Sequence, residues 1–380
     1  MERRTFLRAA VTGGAAVAFG FSVTREAIAY PAQTGPSPYG PLQAADANGL
    51  ELPANFTSRV LAHTGETVAG TGHTWHGAPD GGACFADGDG WIYVSNSELP
   101  LGTGGVSALR FDATATITGA YPILTGTTQN CSGGATPWNT WLSCEETDRG
   151  YVFETDPWGG EAVRRDAMGR FKHEAAAADP DRKVVYLTED ESDGNFYRFV
   201  PTTWGDMSAG TLQVLAGADD ALTWVDVPDP TGATIRTRHQ VDTARVFDGG
   251  EGAYYRNGTC FFTTKGDNRV WAYDAVANAL HVAYDDDLTQ DGPLSGVDNI
   301  TGTATGDLYV AEDGGNMEIC IITPDDVVAP FLRVVGQDES ELCGVAFNPA
   351  GDRLYFSSQR GPAGSSSDGY TYEITGPFRK

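Results

Sequence analysis

The stretch GWIYVSNSE, residues 90–98, recurs five more times along the chain with the same layout. Each copy is a turn, then a short apolar strand with one aromatic residue, then a small or acidic end. The other copies are NTWLSCEE (139–146), RKVVYLTED (182–190), GTCFFTTKGD (258–267), GDLYVAEDG (306–314) and DRLYFSSQR (352–360). Their aromatic residues are Tyr93, Trp141, Tyr186, Phe261, Tyr309 and Tyr355.

Four of the five intervals between these aromatic residues are 45 to 48 residues long. A repeat of this length built from short strands is typical of β-propeller blades. The 48 glycines and 20 prolines also favour many short strands over helices. We therefore predict an all-β fold, a single-domain six-bladed β-propeller over residues 57–380. The one wide interval predicts an insertion around 201–246, and the aperiodic residues 30–56 read as an N-terminal arm.

The charge of the chain limits its partners. It has 25 basic and 51 acidic residues, a formal net charge of -26. Affinity for phosphate backbones comes from lysine and arginine, so such a surface repels nucleic acid and anionic membranes. We therefore expect no nucleic-acid partner. We also expect a small-molecule substrate and a monomeric protein.

The first 29 residues are typical of a twin-arginine signal peptide. Arg3 and Arg4 precede a mild apolar run, and Ala27-Ile28-Ala29 offers a small-residue cleavage site. The run is too short and glycine-rich to span a membrane. We predict export by the twin-arginine machinery to the periplasm, cell wall or exterior, without membrane insertion.

A second segment of strand character precedes each repeated copy, and we predict that these segments are the innermost strands of the blades. Their leading residues would then face the central axis at one mouth of the channel. The leading residues are Asp80, Cys131, Glu174, Glu251, Asp298 or Asn299, and Glu341. The strand that follows would return its end to the same mouth, adding Glu98, Glu145 or Glu146, Glu189 and Glu312. Carboxylates gathered in a closed channel cannot all stay ionised without cations, so the pattern predicts an axial metal site.

The stretch NCSGGATPWNTWLSCEE (130–146) brings a thiol and paired carboxylates into one hairpin. A soft thiolate beside hard carboxylates suits a transition metal better than calcium alone. The chain has six cysteines and no C-x-x-C pair, so a zinc knuckle is not indicated. Their disulfide pattern stays open at this point.

The sequence resembles the PhoX family, exported alkaline phosphatases built on a six-bladed propeller with an iron and calcium cofactor. The most specific matching stretches are NCSGGATPWNTWLSCEE and GRFKHEAAAADP (169–180). Others run in family order, among them VSNSELPLGTGGVSALRFD (94–112), VYLTEDESDGNFYRFVP (185–201), DNITGTATGDLYVAEDG (298–314) and GVAFNPAGDRLYFSSQRG (344–361). The chain is similar to a short, single-domain relative of the larger phosphatases.

The resemblance implies roles for particular residues. Cys131 is similar to the iron-bound thiolate of the family, and Glu146 (or Glu145), Glu174 and Glu251 to cofactor carboxylates. Further metal candidates are Glu98, Asp298, Glu312 and Glu341. The family has Arg-Pro-Glu before the third cofactor glutamate, whereas this chain has Gly249-Gly250-Glu251. An arginine at that position would bind phosphate. Either Arg360 or Lys265 binds phosphate in its place, or phosphate is not the substrate. Asn299 is a further candidate for contact with substrate oxygen.

These expectations lead to one main hypothesis and two alternatives. The main one is an exported, metal-dependent phosphoester hydrolase with iron and calcium at the axis, acting on a small phosphate ester or another anionic ester. The first alternative is an esterase or lactonase that uses calcium alone and does not act on phosphate. The second is a non-catalytic propeller that calcium stabilises. The chain has no Gly-x-Ser-x-Gly elbow that would indicate a serine nucleophile instead.

Overall fold

The computed structural model describes residues 31–219 and 221–380, and most regular structure in them is β-strand. Two 3-10 turns, Asp166–Met168 and Thr237–His239, are the helical elements in this part of the chain. Three strands precede the first blade: β1 (Gln33–Thr34), β2 (Leu50–Glu51) and β3 (Thr57–His63). The predicted signal peptide lies outside the described residues.

The strands that follow form antiparallel sheets in chain order. Blade 1 consists of β4 (Pro79–Asp87), β5 (Gly90–Ser97), β6 (Gly104–Phe111) and β7 (Ile117–Thr127). Blade 2 consists of β8 (Asn130–Ala135), β9 (Trp141–Glu145), β10 (Val152–Thr155) and β11 (Val163–Arg164). Blade 3 consists of β12 (His173–Asp179), β13 (Val184–Glu189), β14 (Phe196–Thr203), β15 (Asp206–Ala216) and β16 (Thr223–Asp226).

Three more blades complete the ring. Blade 4 consists of β17 (Gly250–Arg256), β18 (Thr259–Thr264), β19 (Arg269–Asp274) and β20 (Ala279–Asp285). Blade 5 consists of β21 (Val297–Gly302), β22 (Leu308–Glu312), β23 (Glu318–Ile322) and β24 (Val327–Val334). Blade 6 consists of β25 (Leu342–Phe347), β26 (Arg353–Ser358) and β27 (Tyr370–Thr375), and β3 forms its outer edge.

This topology confirms the predicted six-bladed propeller. The first strand of each blade packs against the first strands of both neighbouring blades, and β25 meets β4 to close the circle. Each repeated copy forms the second strand of a blade, and each preceding segment forms the innermost one. Among the described residues, no helix has the length and apolarity needed to cross a membrane.

The hydrophobic core lies between blades rather than at the axis. Each interface between adjacent blades holds one cluster of buried side chains. Along β5, Trp91 and Tyr93 pack toward blade 6 whereas Ile92 and Val94 pack toward blade 2, as the period of two in a strand requires. Tyr93 also stacks on Tyr355 of blade 6, with ring centroids 5.1 Å apart. The repeated aromatic residues therefore join one blade to the next.

The predicted insertion around 201–246 contains the end of β14, the strands β15 and β16, and the Thr237–His239 turn. Blade 3 gains a fifth strand from it. In the predicted arm, β1 and β2 both pair with β24, the outer strand of blade 5. The arm and the insertion thus thicken the outside of two blades and leave the inner strands unchanged.

Each blade has a β-bulge between its first and second strands, near the same end of the channel. In blade 2, for example, Asn130 pairs with Glu145 but Gly133 pairs with Ser143, so the inner strand has one extra residue. The other five blades show the same shift. Bulges re-aim side chains and are common beside active sites. Here they act on the predicted leading residues.

Candidate metal centre

The bulges place one chemically reactive residue from every blade around the axis. We call this set the inner ring and define it as the residue after the first pair of each inner hairpin. Its members, in blade order, are Asp80, Cys131, Glu174, Glu251, Asp298 and Cys343. All six are buried. Five of them are predicted leading residues. The sixth position belongs to Cys343, two residues after the predicted Glu341.

Close packing of the inner strands depends on glycine. A Cβ atom on Gly252 would lie 2.7 Å from the backbone nitrogen of Ile300 and 2.8 Å from the Cα of Asn299. A Cβ on Gly81 would lie 2.5 Å from the Cα of Ser132. Real Cβ atoms do not approach backbone so closely, so only glycine lets neighbouring blades bring their ring residues together.

A second set of residues forms the rim of the same mouth. Each rim residue is the first after the end of the second strand, and the set is Glu98, Glu146, Asp190, Lys265, Asp313 and Gln359. Glu98, Glu146 and Lys265 were predicted from the sequence as candidate site residues, whereas Asp190, Asp313 and Gln359 were not. Two of these residues, Asp190 and Asp313, could have been predicted, because Glu189-Asp190 and Glu312-Asp313 repeat the paired acids of Glu145-Glu146.

The first acid of each pair accepts hydrogen bonds from loop backbone and is not among the ligand groups at the axis. Glu145 accepts hydrogen bonds from the backbone nitrogens of Thr128 (2.9 Å) and Tyr151 (3.1 Å). Glu312 accepts hydrogen bonds from the backbone nitrogens of Ser295 (2.7 Å) and Glu318 (2.8 Å). Of the alternatives Glu145 and Glu146, the second is therefore the one at the axis. Glu312 lies near Glu318 and Cys320 inside blade 5, away from the inner ring.

Three groups of possible ligands surround the axis. In each group the ligand atoms all lie within 4.8 Å of one another. The groups are Cys131 with Glu146 and Glu174, Glu174 with Glu251 and Asp298, and Asp80 with Glu341 and Cys343. Glu174 belongs to two of them, and the Sγ of Cys131 lies 3.4 Å from Asp80 Oδ2. The groups therefore adjoin one another and form one continuous centre.

Glu174 tests whether a cation fits this centre. The residue has no exposed surface, and neither of its carboxylate oxygens has a hydrogen-bond partner. Burial raises its pKa, and the nearby carboxylates Glu251 and Glu146 raise it further. A buried carboxylate without a partner is costly, and coordination to a cation removes that cost. The donor set of thiol and carboxylates therefore fits bound metal ions.

The buried thiol of Cys131 also fits a bound metal ion. Burial and the neighbouring carboxylates Asp80 and Glu174 raise the pKa of Cys131 far above its ordinary value. A coordinating metal would remove that proton outright, since metal-bound thiols are thiolates. All six cysteines are free thiols in the described structure, which answers the open question of their pairing.

Asn299, the predicted substrate contact, has internal partners, and so does Asn96. Asn299 donates to Asp298 Oδ1 (2.8 Å) and accepts from the backbone nitrogen of Gly344 (2.8 Å). It thereby orients a ring carboxylate and ties blade 5 to blade 6. Asn96 donates to the carbonyl oxygens of Cys131 (3.0 Å) and Ser132 (2.8 Å), which fixes the backbone that carries the thiol.

Cations at the mouth lie on the rim rather than in the inner ring. Lys265 Nζ lies 2.8 Å from Glu251 Oε1 and 3.1 Å from Asp313 Oδ2. Arg360 Nη2 donates to Glu341 Oε2 at 2.7 Å, and its Nη1 lies 3.8 Å from Asp313 Oδ1. The side chains of Lys265 and Arg360 are 36% and 32% exposed. Asp313 thus contacts both Lys265 and Arg360, which are partly exposed.

The protein is thus a six-bladed β-propeller with thiols and carboxylates gathered at one mouth of its axis, where Lys172, Lys265 and Arg360 form ion pairs with some of the carboxylates. A family model described as alkaline phosphatase PhoX matches residues 93–282, half of the chain. The chain belongs to the PhoX alkaline phosphatase family.

Comparison with solved structures agrees with the fold. PhoX of Pseudomonas fluorescens, in complex with the transition-state analogue vanadate, superposes with a TM-score of 0.70 at 17% identity, covering 91% of this chain and 98% of that one. A gluconolactonase of Xanthomonas campestris gives a TM-score of 0.50 at 14% identity, covering 90% and 99% of the two chains. The calcium-binding protein regucalcin of Agrobacterium tumefaciens gives 0.50 at 13% identity, covering 84% and 96%. No curated protein matches the sequence.

Proposed function

We propose that this protein is a metal-dependent phosphoester hydrolase whose active site is the axial centre. The observation that carries the proposal is Glu174, a fully buried carboxylate with no partner among thiol and carboxylate neighbours. Membership of the PhoX family supports phosphate esters as the substrate class.

The ligands would divide by chemistry. Cys131, Glu146 and Glu174 would hold iron, since a thiolate suits a transition metal. Glu251 and Asp298, together with Asp80 and Glu341, supply hard oxygen atoms that suit calcium. Bound metal ions would polarise a phosphoryl group and neutralise the charge of the leaving oxygen.

The residues of the chain would bind and orient the substrate. Arg360 and Lys265 retain unused N–H donors, because Lys265 contacts two carboxylates with three donors and Arg360 has five donors in all. They would bind the nonbridging phosphate oxygens in place of the arginine that Gly249 replaces. Asn299 would act by holding Asp298 in position, rather than by touching substrate with its occupied amide.

Substitution of Cys131 by serine separates this function from hydrolysis by calcium alone. We expect the metal-loaded protein to hydrolyse a phosphomonoester such as p-nitrophenyl phosphate. Cys131→Ser should lose iron and at least about a hundredfold in kcat, because a ligand matters at least as much as the outer partners of ligands. Elemental analysis and steady-state kinetics check both results.

Cys144→Ser is the matched control, since Cys144 is buried in the interface between blades 2 and 3 and is absent from the axial groups. A metal-loaded protein without phosphatase turnover would contradict the proposed function. Full activity of Cys131→Ser with calcium, on a lactone rather than a phosphate ester, would favour the lactonase alternative.

We also propose export by the twin-arginine pathway, on the basis of Arg3 and Arg4 ahead of the apolar run. The double variant Arg3→Lys, Arg4→Lys should keep the protein inside the producing cell, as fractionation would show. Unchanged export of that variant would contradict the pathway.

A further inference from the structure

Lys172 is a third cation at the mouth, between blades 2 and 3, whereas Lys265 follows β18 of blade 4 and Arg360 follows β26 of blade 6. Lys172 immediately precedes β12. Its Nζ lies 2.9 Å from Glu146 Oε1 and 2.7 Å from Asp190 Oδ2, so it bridges two rim carboxylates from different blades. Its side chain remains 28% exposed.

The backbone around Lys172 is held firmly. The carbonyl oxygen of Lys172 accepts a hydrogen bond from the backbone nitrogen of Asp190 (3.2 Å). Phe171 is buried and stacks on Tyr197, with ring centroids 4.3 Å apart. His173 is also buried, with its Nε2 3.1 Å from the carbonyl oxygen of Gly169. A lysine fixed on both sides has already lost much of the conformational freedom that binding would otherwise remove.

Asp190 is itself positioned by the insertion in blade 3. Arg238, in the Thr237–His239 turn, contacts Glu189 (3.0 Å), Glu191 (3.3 Å) and Asp193 (2.8 Å), which flank Asp190 along the loop. The Arg238 side chain is only 5% exposed. The loop that presents Asp190 to Lys172 is therefore clamped from outside the blade.

The charges at the mouth are sorted into two levels. Of the six inner-ring residues, Glu251 alone has an ion pair with a described residue, through Lys265. On the rim, Glu146 and Asp190 contact Lys172, and Asp313 contacts Lys265 and Arg360. Most inner-ring acids thus have no ion pair, whereas the three cations contact rim carboxylates and remain partly exposed. An anion that enters the mouth therefore meets cations before it reaches the inner ring.

Resting on the proposed function, we propose that Lys172 is a specificity-determining residue that binds the anionic group of the substrate. Two of its three N–H donors contact carboxylates, and the third is available to a phosphoryl oxygen. Lys265 and Arg360 supply further N–H donors at the same mouth. Three cations favour the dianion of a phosphate monoester over the monoanion of a diester, so loss of Lys172 should reduce this preference.

The test measures binding of inorganic phosphate to metal-loaded protein by calorimetry, so it does not require turnover. Lys172→Met should weaken phosphate binding about tenfold or more, since a hydrogen bond to a charged group is lost. It should also raise KM for a phosphate monoester more than KM for a diester. Lys172→Arg should recover most of the affinity. Lys183→Met is the matched control, an exposed lysine at the opposite end of blade 3, in the β12–β13 turn.

Each outcome decides the inference. Weaker phosphate binding with unchanged metal content, rescued by Lys172→Arg, supports it even if no ester is turned over, in which case only the proposed function fails. Unchanged phosphate binding and KM overturn it while leaving the proposed function intact. Loss of metal from both Lys172→Met and Lys172→Arg would also overturn it, since the residue would then act on the centre rather than on substrate.

Discussion

Replacing Glu174 by glutamine is expected to empty the centre and to stabilise the metal-free protein at the same time. Glu174 belongs to two ligand groups, so its loss should reduce bound metal and lower kcat at least about a hundredfold. In the absence of metal the same change removes a buried carboxyl group whose pKa is raised by burial and whose oxygens have no hydrogen-bond partner. The amide of glutamine could instead donate to the neighbouring Glu251 and Asp298, which turns repulsion into hydrogen bonding.

The measurements are elemental analysis, phosphomonoesterase kinetics and thermal unfolding of chelator-treated samples at pH 8. We expect the Tm of metal-free Glu174→Gln to exceed that of the metal-free parent by about 2 °C or more. Glu145→Gln is a control in the same region, because its carboxylate contacts backbone nitrogens rather than the axis. A lower Tm for the metal-free variant than for its metal-free parent would contradict the prediction that Glu174 destabilises the metal-free protein.

Removal of metal is expected to destabilise the protein more at pH 8 than at pH 5. Burial raises the pKa of Glu251 to about 7, because the ion pair with Lys265 only partly offsets it, and burial also raises the pKa of Glu341 to about 8. In an unfolded chain both would titrate near 4.5, the ordinary value for glutamate. Between those limits the folded metal-free protein binds more protons than the unfolded one. Its free energy of unfolding must therefore fall as pH rises, by up to about 1.4 kcal/mol per pH unit for each group.

Thermal unfolding from pH 5 to 8, with and without chelator, checks this expectation. The metal-loaded protein is the reference: its coordinated carboxylates stay ionised, so its Tm should fall less over this range, only through groups outside the centre such as Glu312, whose pKa burial raises to about 8. A metal-free Tm that is flat or rises over this range would contradict the picture of an acidic centre compensated by cations.

Much of this architecture could be predicted from the sequence because each blade repeats a local pattern. Tyr93 and its counterparts mark the second strands, since alternating side chains must pack toward two neighbouring blades. The leading residues Cys131 and Glu174 then follow from their position before those strands. Local patterning was sufficient wherever one strand determines the position of one side chain.

The remainder depends on register and on distant contacts. The bulge in blade 6 decides that Cys343, rather than Glu341, completes the inner ring, although aligning LCGVAF with NCSGGA would have suggested it. Which acid of Glu145-Glu146 faces the axis depends on where the strand ends. Lys172 was visible in GRFKHEA, but its role needed a carboxylate 18 residues away, at the end of β13. Such relations exist only once the blades have assembled.

The closure of blade 6 by β3 has a consequence for the order in which the molecule is made. The outer edge of β27 (residues 370–375) pairs with β3 (residues 57–63). β3 is among the first described strands to be synthesised, but it cannot pair until β27 has been synthesised. Until the two meet, a nascent chain carries open strand edges that invite association with other chains. The inner ring also lacks Cys343 until the final blade emerges. The complete set of inner-ring residues is therefore expected to assemble only after the whole propeller has been synthesised.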